Sequence, residues 1–407
     1  MIDTNLQKIK EILTRGVENI FPNKEEIEKV LLSGKKLKIY HGIDPTGKLH
    51  IGHMVNLKKL RKFQDLGHEV IVLIGGFTAT IGDPTDKKAT RQPLTRGQVL
   101  ENSKTYKKQI GKILDLRKSN VRFFDNEKWT SKLKPKDLFD IASNFTVARL
   151  LERDMFQERI KAGKDISASE FLYPVLQAYD SVTMDVDLEI GGNDQTFNML
   201  AGRDLMKKMK DKEKFVMATK LLVDSTGKKM GKTEGNMVNL DESPDQMFGK
   251  IMSWPDGVII SGLEILTDVL TTEISDYAKA ISENKMNPKD AKIKLAKNVV
   301  ATFYGAVVAE KAEEEFDKVH RNNELPSDVP ILEISKGSYH LVDLLCLPAG
   351  RQAIVLAPSK KEAKRLVEAG AVDIDNVTER DIKKIIEIKN GMVIKVGSRR
   401  FVKIVLK

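Results

Sequence analysis

Two histidines three residues apart could carry chemistry. His50-Ile51-Gly52-His53 follows a predicted strand and opens a predicted helix, so both imidazoles share one helix face. They could bind a metal, with His41 or His68 as the nearest further ligands, or they could be two ordinary half-buried histidines. They could also donate hydrogen bonds to a phosphate, because Gly52 lets a nucleotide approach the backbone and a helix N-terminus favours anions. The pattern is typical of adenylyl transfer.

A lysine-rich segment is the second candidate, Lys228-Lys229-Met230-Gly231-Lys232-Thr233. It resembles a P-loop but lacks the glycine that a P-loop needs five residues before Gly231, because position 226 is a threonine. A Gly-flanked loop with Lys229 and Lys232 suits a mobile clamp on phosphate charge. The alternative is an exposed basic turn.

The elements predicted around these motifs form an α/β architecture. The predicted strands are residues 36–42, 69–74, 188–190 and 221–223. Residues 5–34 are predicted to form two helices, residues 196–209 one helix, and residues 359–370 a basic helix that Ser359 caps. A helix over 49–66 joins the first two strands, which predicts a right-handed crossover in a parallel sheet. We therefore predict a Rossmann-like catalytic domain with helices on both faces over residues 1–225.

The rest of the chain changes character. Residues 226–240 hold the lysine segment, and residues 241–323 are predicted to form an all-helical domain. A polar linker with two prolines then leads to a small α/β module at 331–407. That module holds 15 Lys and Arg against 9 Asp and Glu, so it carries +6 of the chain's net charge of +10. Such asymmetry favours a dedicated module for a polyanion.

Composition excludes several classes of protein. The chain has 407 residues, of which 41% are hydrophobic and 31% charged, so it is not mostly disordered. No apolar run approaches the roughly 18 residues that a membrane span needs, so no membrane partner is expected. The single cysteine, Cys346, excludes an intrachain disulfide and a multi-thiolate metal site. We expect a protein of the reducing cytoplasm.

Together, the histidine and lysine motifs resemble the paired signatures of class I aminoacyl-tRNA synthetases. Four further segments resemble the bacterial tyrosyl-tRNA synthetase family: Tyr-His-Gly-Ile-Asp-Pro-Thr at 40–46, Gly-Asp-Pro-Thr at 82–85, Tyr-Pro-Val-Leu-Gln-Ala-Tyr-Asp at 173–180 and Gly-Gly-Asn-Asp-Gln at 191–195. The resemblance covers essentially the whole chain, and residues 331–407 are similar to the alpha-L RNA-binding motif. It implies activation of L-tyrosine with ATP, followed by transfer of tyrosine to the 3′ end of tRNA(Tyr).

The resemblance also implies a role for individual residues. Tyr40 and Asp180 would meet the phenol hydroxyl of tyrosine, and a pocket built in this way rejects phenylalanine. The implied catalytic residues are Thr46, His50, His53, Lys229, Lys232 and Thr233. The implied tyrosine-binding residues are Tyr40, Asp83, Tyr173, Gln177, Asp180 and Gln195. The implied ATP-binding residues are Gly42, Asp44, Gly52, His53, Lys87, Arg91, Gly192, Asp194 and Lys232. The implied tRNA-binding residues are Arg203, Lys207, Lys208, Lys360, Lys361, Lys364, Arg365, Arg399 and Arg400.

Further expectations follow from the same resemblance. Mg²⁺ should arrive with ATP, without a protein-bound metal. Residues 130–165 resemble a dimer-forming insertion, which predicts a homodimer with Phe145 and Phe156 at the interface. Asn193 stands where a smaller hydroxyl residue is usual, and residues 346–353 form an insertion. Two alternatives stay open: a tryptophanyl-tRNA synthetase, and a synthetase-like RNA-binding protein without catalysis.

Overall fold

The computed structural model describes residues 2–83, 94–223, 237–320, 329–350, 355–397 and 400–407. The chain divides into two compact units, Met1–Ala309 and Glu310–Lys407. Among the described residues, no helix combines the length and the apolar character that crossing a membrane requires.

A six-stranded sheet organises the first unit. Its strands are β1 (Val17–Phe21), β2 (Lys38–Ile43), β3 (Glu69–Ile74), β4 (Val121–Asp125), β5 (Leu188–Gly192) and β6 (Phe215–Thr219). They lie in the order β1-β6-β5-β2-β3-β4, and only the β1–β6 pair is antiparallel. The strand order reverses between β2 and β5. In open α/β sheets, ligands bind at the carboxyl ends of the strands at such a switch point.

Helices cover this sheet and connect its strands. They are α1 (Leu6–Thr14), α2 (Lys24–Leu32), α3 (Ile51–Asp65), α4 (Thr78–Ile81), α5 (Arg96–Ser103), α6 (Tyr106–Ile110), α7 (Glu127–Thr130), α8 (Pro135–Ala142), α9 (Val147–Leu151), α10 (Asp154–Lys161), α11 (Ala168–Met184) and α12 (Thr196–Lys210). The predicted Rossmann-like fold with a parallel sheet is therefore confirmed.

Two details at the edge of the sheet differ from the sequence prediction. The strand expected at residues 221–223 is instead β6, at Phe215–Thr219, because that run is apolar enough to be buried on both faces. Residues 17–21, expected within a helical stretch, form β1, which pairs antiparallel with β6 and covers its open edge.

The region after residue 237 is helical, as predicted. Its helices are α13 (Pro244–Met252), α14 (Ile259–Leu266), α15 (Thr271–Ser282), α16 (Pro288–Tyr304) and α17 (Ala306–His320). Residues up to Ala309 belong to the same compact unit as the sheet. For example, Arg15 after α1 donates hydrogen bonds to three carbonyl oxygens around the end of α14. The predicted boundaries between domains stay predictions.

The second unit contains a small α/β fold. Its strands are β7 (Ile331–Ile334), β8 (Ser338–His340), β9 (Val372–Ile374), β10 (Val377–Glu379), β11 (Ile385–Glu387), β12 (Val393–Val396) and β13 (Arg400–Leu406), and its short helices are α18 (Leu341–Leu344) and α19 (Lys360–Glu368). Five strands form one sheet in the order β10-β9-β12-β13-β7, and β8 pairs with β11. Ser359 caps α19 by accepting from the backbone N–H of Glu362, as the sequence predicts.

Candidate active site

The polar residues of the motifs gather at the carboxyl ends of β2 and β5. Asp44 follows β2 directly, and its carboxylate accepts hydrogen bonds from the hydroxyls of Thr78 (2.7 Å) and Tyr173 (2.8 Å). A Cβ at Gly75 would lie 1.8 Å from Asp44 Oδ1, so only glycine leaves room for this carboxylate. Gly42 is exposed although it lies in a central strand, and a Cβ there would have no heavy atom nearer than 4.0 Å.

The histidine motif forms the N-terminus of α3. His50 is the N-cap, and its Nδ1 accepts from the backbone N–H of Gly52 at 3.2 Å. Nδ1 of His53 in turn accepts from the backbone N–H of His50 at 3.1 Å. Because both Nδ1 atoms act as acceptors, a neutral ring carries its proton on Nε2, where it can be donated. The ring centroids lie 4.0 Å apart, so the two donors are close together.

Among the described residues, neither His41 nor His68 acts as a third ligand for a metal at the histidine motif. Nδ1 of His41 bonds to the Ile190 carbonyl at 2.9 Å, and Nδ1 of His68 accepts from the backbone N–H of Leu37. Burial lowers the pKa of both rings to about 4. Across the described ranges, no group of three or more His, Cys, Asp or Glu side chains could hold a metal ion.

The residues that follow the lysine segment form backbone hydrogen bonds with the histidine motif. The backbone N–H of Ile51 donates to Val238 at 2.9 Å, and that of Leu240 donates to Leu49 at 3.0 Å. The predicted phosphate-contacting residues Lys87, Arg91, Lys229, Lys232 and Thr233 lie outside the described residues.

Tyr40 and Asp180 are both buried beside one apolar cluster. The cluster contains Tyr40 itself, and Trp129 packs against it. The Asp180 carboxylate accepts from Trp129 Nε1 at 2.7 Å and from Asn126 Nδ2 at 3.1 Å. The Tyr40 hydroxyl lies 3.0 Å from the hydroxyl of Ser181, the residue after Asp180. Burial raises the pKa of Asp180 to about 8, despite its two donors.

The other residues implied to bind tyrosine form a connected series. Gln195 Nε2 donates to Asp83 at 2.6 Å, and Arg153 donates to the other oxygen of Asp83 at 2.9 Å. Asn198 Nδ2 donates to both Gln177 (3.0 Å) and Gln195 (2.9 Å). Tyr173 is not part of this series, because its hydroxyl donates to Asp44 instead.

Further residues that are implied to contact ATP lie where β5 and β2 end. Gly192 ends β5, and a Cβ there would lie 2.5 Å from Asp194 Oδ1, so the glycine lets this carboxylate lie close to the backbone. Thr46 lies in the turn after β2, where its N–H donates to the Asp44 carbonyl at 2.8 Å.

Several residues of this site were not found by sequence reasoning. They are Thr78, Asn126, Trp129, Arg153, Ser181, Glu189, Asn198 and Lys214. One signal was available, because Glu189 is a charged residue within a strand that is buried along its whole length. The others lie on different elements and carry no local pattern.

The residues implied to bind tRNA are mostly paired with neighbours. In α12, Arg203 pairs with Glu213 and Lys207 with Asp211, both at 2.8 Å, and Lys208 donates to the carbonyl of Asn144.

In the second unit, Lys360 pairs with Asp343 at 2.7 Å and Arg365 with Glu362 at 2.6 Å. Arg400 donates to the Leu356 carbonyl, Lys361 and Lys364 are exposed on α19, and Arg399 lies outside the described residues.

Residues 130–165, the implied dimer segment, expose apolar side chains other than the two expected at the interface. Phe156 is fully buried, with its ring centroid 5.5 Å from that of Phe171, and Phe145 is partly buried in a core cluster. The exposed large apolar side chains of this segment are Phe139, Val147 and Ile160.

Comparison with known proteins defines the class first. The family model of class I tRNA synthetases (W and Y) matches residues 32–321. Solved structures share the fold: a truncated mitochondrial tyrosyl-tRNA synthetase of Coccidioides posadasii covers 75% of this chain and 91% of its own, with 25% identity and a TM-score of 0.60. A tyrosyl-tRNA synthetase of Archaeoglobus fulgidus, solved with L-tyrosine, covers 76% and 100%, with 22% identity and a TM-score of 0.61.

Full-length relatives narrow the class to one group. The tyrosine–tRNA ligase of Thermotoga maritima is 43% identical over 97% of this chain and 96% of its own. Tyrosine–tRNA ligase 2 of Vibrio cholerae is 43% identical over 100% of this chain and 99% of its own. The chain belongs to the class I tRNA synthetases of the W and Y family, and within it to the tyrosine–tRNA ligases.

Proposed function

We propose that this enzyme joins L-tyrosine to the adenylyl group of ATP as tyrosyl-adenylate, releasing pyrophosphate. It then passes the tyrosyl group to a ribose hydroxyl at the 3′ end of tRNA(Tyr), releasing AMP. The observation that carries the proposal is the burial of Tyr40 and Asp180 beside one apolar cluster, where Tyr40 bonds to Ser181 and Asp180 accepts from Trp129. A phenol hydroxyl both donates and accepts, so it needs one partner of each kind. An indole offers only a donor, which disfavours the tryptophan alternative.

The ammonium group of tyrosine requires acceptors, and Asp83, Tyr173 and Gln177 supply oxygen atoms for it. Asp83 is the one charged acceptor of the three, and it is oriented by Arg153 and Gln195. Gln195 is proposed to border the carboxylate of tyrosine. Because Gln195 bonds directly to Asp83, the ammonium and carboxylate ends of the substrate would be bound by neighbouring side chains.

ATP is proposed to bind over Gly42 and Asp44, with Gly192 and Asp194 on the other side of the switch point. The Nε2–H groups of His50 and His53 would donate to phosphate oxygens at the positive end of α3. Thr46 and Gly52 would border the same phosphates.

The first step needs no general base, since the tyrosine carboxylate is already a nucleophile. One carboxylate oxygen forms a bond to the α-phosphorus, and the bond from that phosphorus to the pyrophosphate oxygen breaks. The rate comes from positioning and from stabilising charge on the departing pyrophosphate. Lys229, Lys232 and Thr233, together with Lys87 and Arg91, are proposed to contact that group.

Mg²⁺ is expected to accompany ATP. The part of the chain that the structure describes offers no group of three or more His, Cys, Asp or Glu side chains to hold it.

The second step brings in tRNA. Arg203, Lys207 and Lys208 of α12 are proposed to hold acceptor-stem phosphates, and the basic residues of 331–407 to grip RNA backbone. We also propose that the enzyme acts in the cytoplasm as a homodimer, through residues 130–165.

Pyrophosphate exchange tests the activity directly. Incorporation of labelled pyrophosphate into ATP is measured with tyrosine, with tryptophan and without an amino acid. We expect exchange with tyrosine alone. Exchange with tryptophan only, or none under any condition, would overturn the proposal.

A further inference from the structure

A buried ion pair lies beneath the proposed tyrosine pocket. Lys214 directly precedes β6, Glu189 lies in β5, and their side chains are 0% and 3% exposed. Removing two charges from water is unfavourable unless their remaining hydrogen-bonding groups are also satisfied. The two side chains meet this condition through bonds to further polar groups, and those bonds lead to the pocket.

One series of hydrogen bonds runs from Lys214 to the phenol end of the pocket. Lys214 Nζ lies 2.9 Å from Ser181 Oγ, and Ser181 Oγ lies 3.0 Å from the Tyr40 hydroxyl. An ammonium only donates, so Ser181 must accept from Lys214. The serine proton is then available to the Tyr40 oxygen. The Tyr40 proton is left for an acceptor other than Ser181, for which Glu189 and the phenol oxygen of the substrate compete.

A second series of hydrogen bonds runs from Glu189 to the ammonium end of the pocket. Gln177 Nε2 donates to Glu189 Oε1 at 3.0 Å, while its Oε1 accepts from Asn198 at 3.0 Å. A carboxylate only accepts, so Glu189 fixes which end of the Gln177 amide carries the nitrogen. The oxygen therefore stays on the side where an acceptor is needed.

Glycine at position 202 makes space for the pair. Gly202 lies within α12, and a Cβ there would be 2.5 Å from Lys214 Nζ, 2.9 Å from Ser181 Oγ and 3.4 Å from Glu189 Oε2. Any larger residue must displace Lys214 Nζ and Ser181 Oγ, whereas Glu189 Oε2 stays at the edge of ordinary contact. A helix interior otherwise disfavours glycine.

We propose that Lys214 and Glu189 are positioning residues that set the direction of the hydrogen bonds in the tyrosine pocket. Lys214 donates to Ser181, Ser181 donates to Tyr40, and Tyr40 donates to the phenol oxygen of the substrate. The phenol in turn donates its own hydrogen bond to Asp180. The series begins on a cation and ends on a carboxyl group. This inference rests on the proposed roles of Tyr40 and Asp180.

The first test measures kcat/KM in pyrophosphate exchange for tyrosine and for phenylalanine. Ser181→Ala is expected to lower the tyrosine-over-phenylalanine ratio about tenfold, which is the scale of one hydrogen bond. Lys214→Met combined with Glu189→Gln replaces the ion pair by a neutral one, keeps an acceptor for Gln177, and should lower the ratio similarly. The KM for ATP should not change.

A double-mutant cycle separates positioning from general packing. Tyr40→Phe removes the group through which Ser181 is proposed to act, so adding Ser181→Ala to it should cause no further loss of selectivity. Independent losses that multiply, or unchanged selectivity in every Ser181 and Lys214 variant, would overturn the proposal. A wild-type enzyme without tyrosine-dependent exchange would instead contradict the proposed function.

The glycine provides a second test with a matched control. Gly202→Ala is expected to lower the tyrosine-over-phenylalanine ratio. Gly249→Ala, in helix α13, is the control because no heavy atom lies within 4 Å of a Cβ there. Thermal unfolding of both variants is recorded. A folded Gly202→Ala enzyme with wild-type selectivity would contradict the role of this cluster.

Discussion

Trp129 donates its indole N–H to the carboxylate of Asp180 at 2.7 Å, across 51 positions of the chain. The indole thus holds one oxygen of the residue that we propose accepts a hydrogen bond from the phenol of tyrosine. Asn126 holds the other oxygen and is itself bonded to Thr78, so Asp180 is connected to the residues around Asp44.

The first prediction removes this indole N–H. Trp129→Phe keeps an aromatic ring in the cluster and deletes the donor, which is worth about 1 kcal/mol or somewhat more for a charged acceptor. We expect the KM for tyrosine to rise roughly tenfold with an unchanged KM for ATP. Steady-state exchange kinetics measure both constants.

A matched control uses the other tryptophan of the chain. Trp254 is also buried, but it lies in the helical region after α13. Trp254→Phe should leave the KM for tyrosine unchanged. Equal effects of the two substitutions would show that the Trp129 result reflects packing and not the bond to Asp180.

The second prediction concerns pH. The pKa of Asp180 in the folded protein is about 8, above its ordinary value of 3.8, because burial disfavours the charged carboxylate. Between these values the folded state binds more protons than the unfolded state, so this group lowers the free energy of unfolding as pH rises from about 4 to 8. Asp180→Asn removes that dependence.

Chemical denaturation at several pH values checks this prediction. The stability of Asp180→Asn relative to wild type should increase as pH rises from 4 to 8. A constant difference over this range would show that the Asp180 carboxyl does not titrate there. The variant should also lose selectivity for tyrosine over phenylalanine.

The elements that carry the motifs could be predicted from sequence, because their signals are local. Strand β3 was predicted with its observed bounds, and α12 nearly so. The edge strand β1 was not, since its pairing with β6 is a contact between residues about 200 positions apart. The helical region after residue 237 was also predicted from its pattern alone.

The supporting residues of the site show why the rest could not be predicted. Lys214 belongs to the run Lys210-Asp211-Lys212-Glu213-Lys214, in which three lysines alternate with acids and look equally solvated. Only the fold distinguishes them: Lys214 is fully buried, whereas Lys210 is exposed. Ser181 and Trp129 likewise gain their roles from partners on other elements.

The third prediction tests the histidine motif through its glycine. A Cβ at Gly52 would lie 3.0 Å from Cε1 and 3.1 Å from Nδ1 of His50, so Gly52→Ala must displace that ring. We expect kcat for adenylate formation to fall at least tenfold, on the scale of one lost transition-state hydrogen bond. The KM for tyrosine should change little.

Gly97 is the control for this substitution. It occupies the second position of α5, as Gly52 does in α3, and a Cβ there would have no heavy atom nearer than 4.0 Å. Gly97→Ala should retain wild-type kcat. A similar loss in both variants would mean that alanine at this helix position, rather than displacement of His50, is responsible.

The last prediction concerns RNA binding by the second unit. Lys361 and Lys364 are exposed on α19, the basic helix that Ser359 caps. If both contact phosphates, replacing them with glutamine should raise the KM for tRNA and flatten the dependence of log affinity on log salt by about one unit for each lost contact. Exchange without tRNA should stay at the wild-type level, because the residues that we propose for the first step belong to the other unit. Lys336→Gln, an exposed lysine between β7 and β8, serves as the control. An unchanged salt dependence in the double variant would show that α19 does not contact RNA phosphates. The excess positive charge of this unit would then have no phosphate partner on that helix.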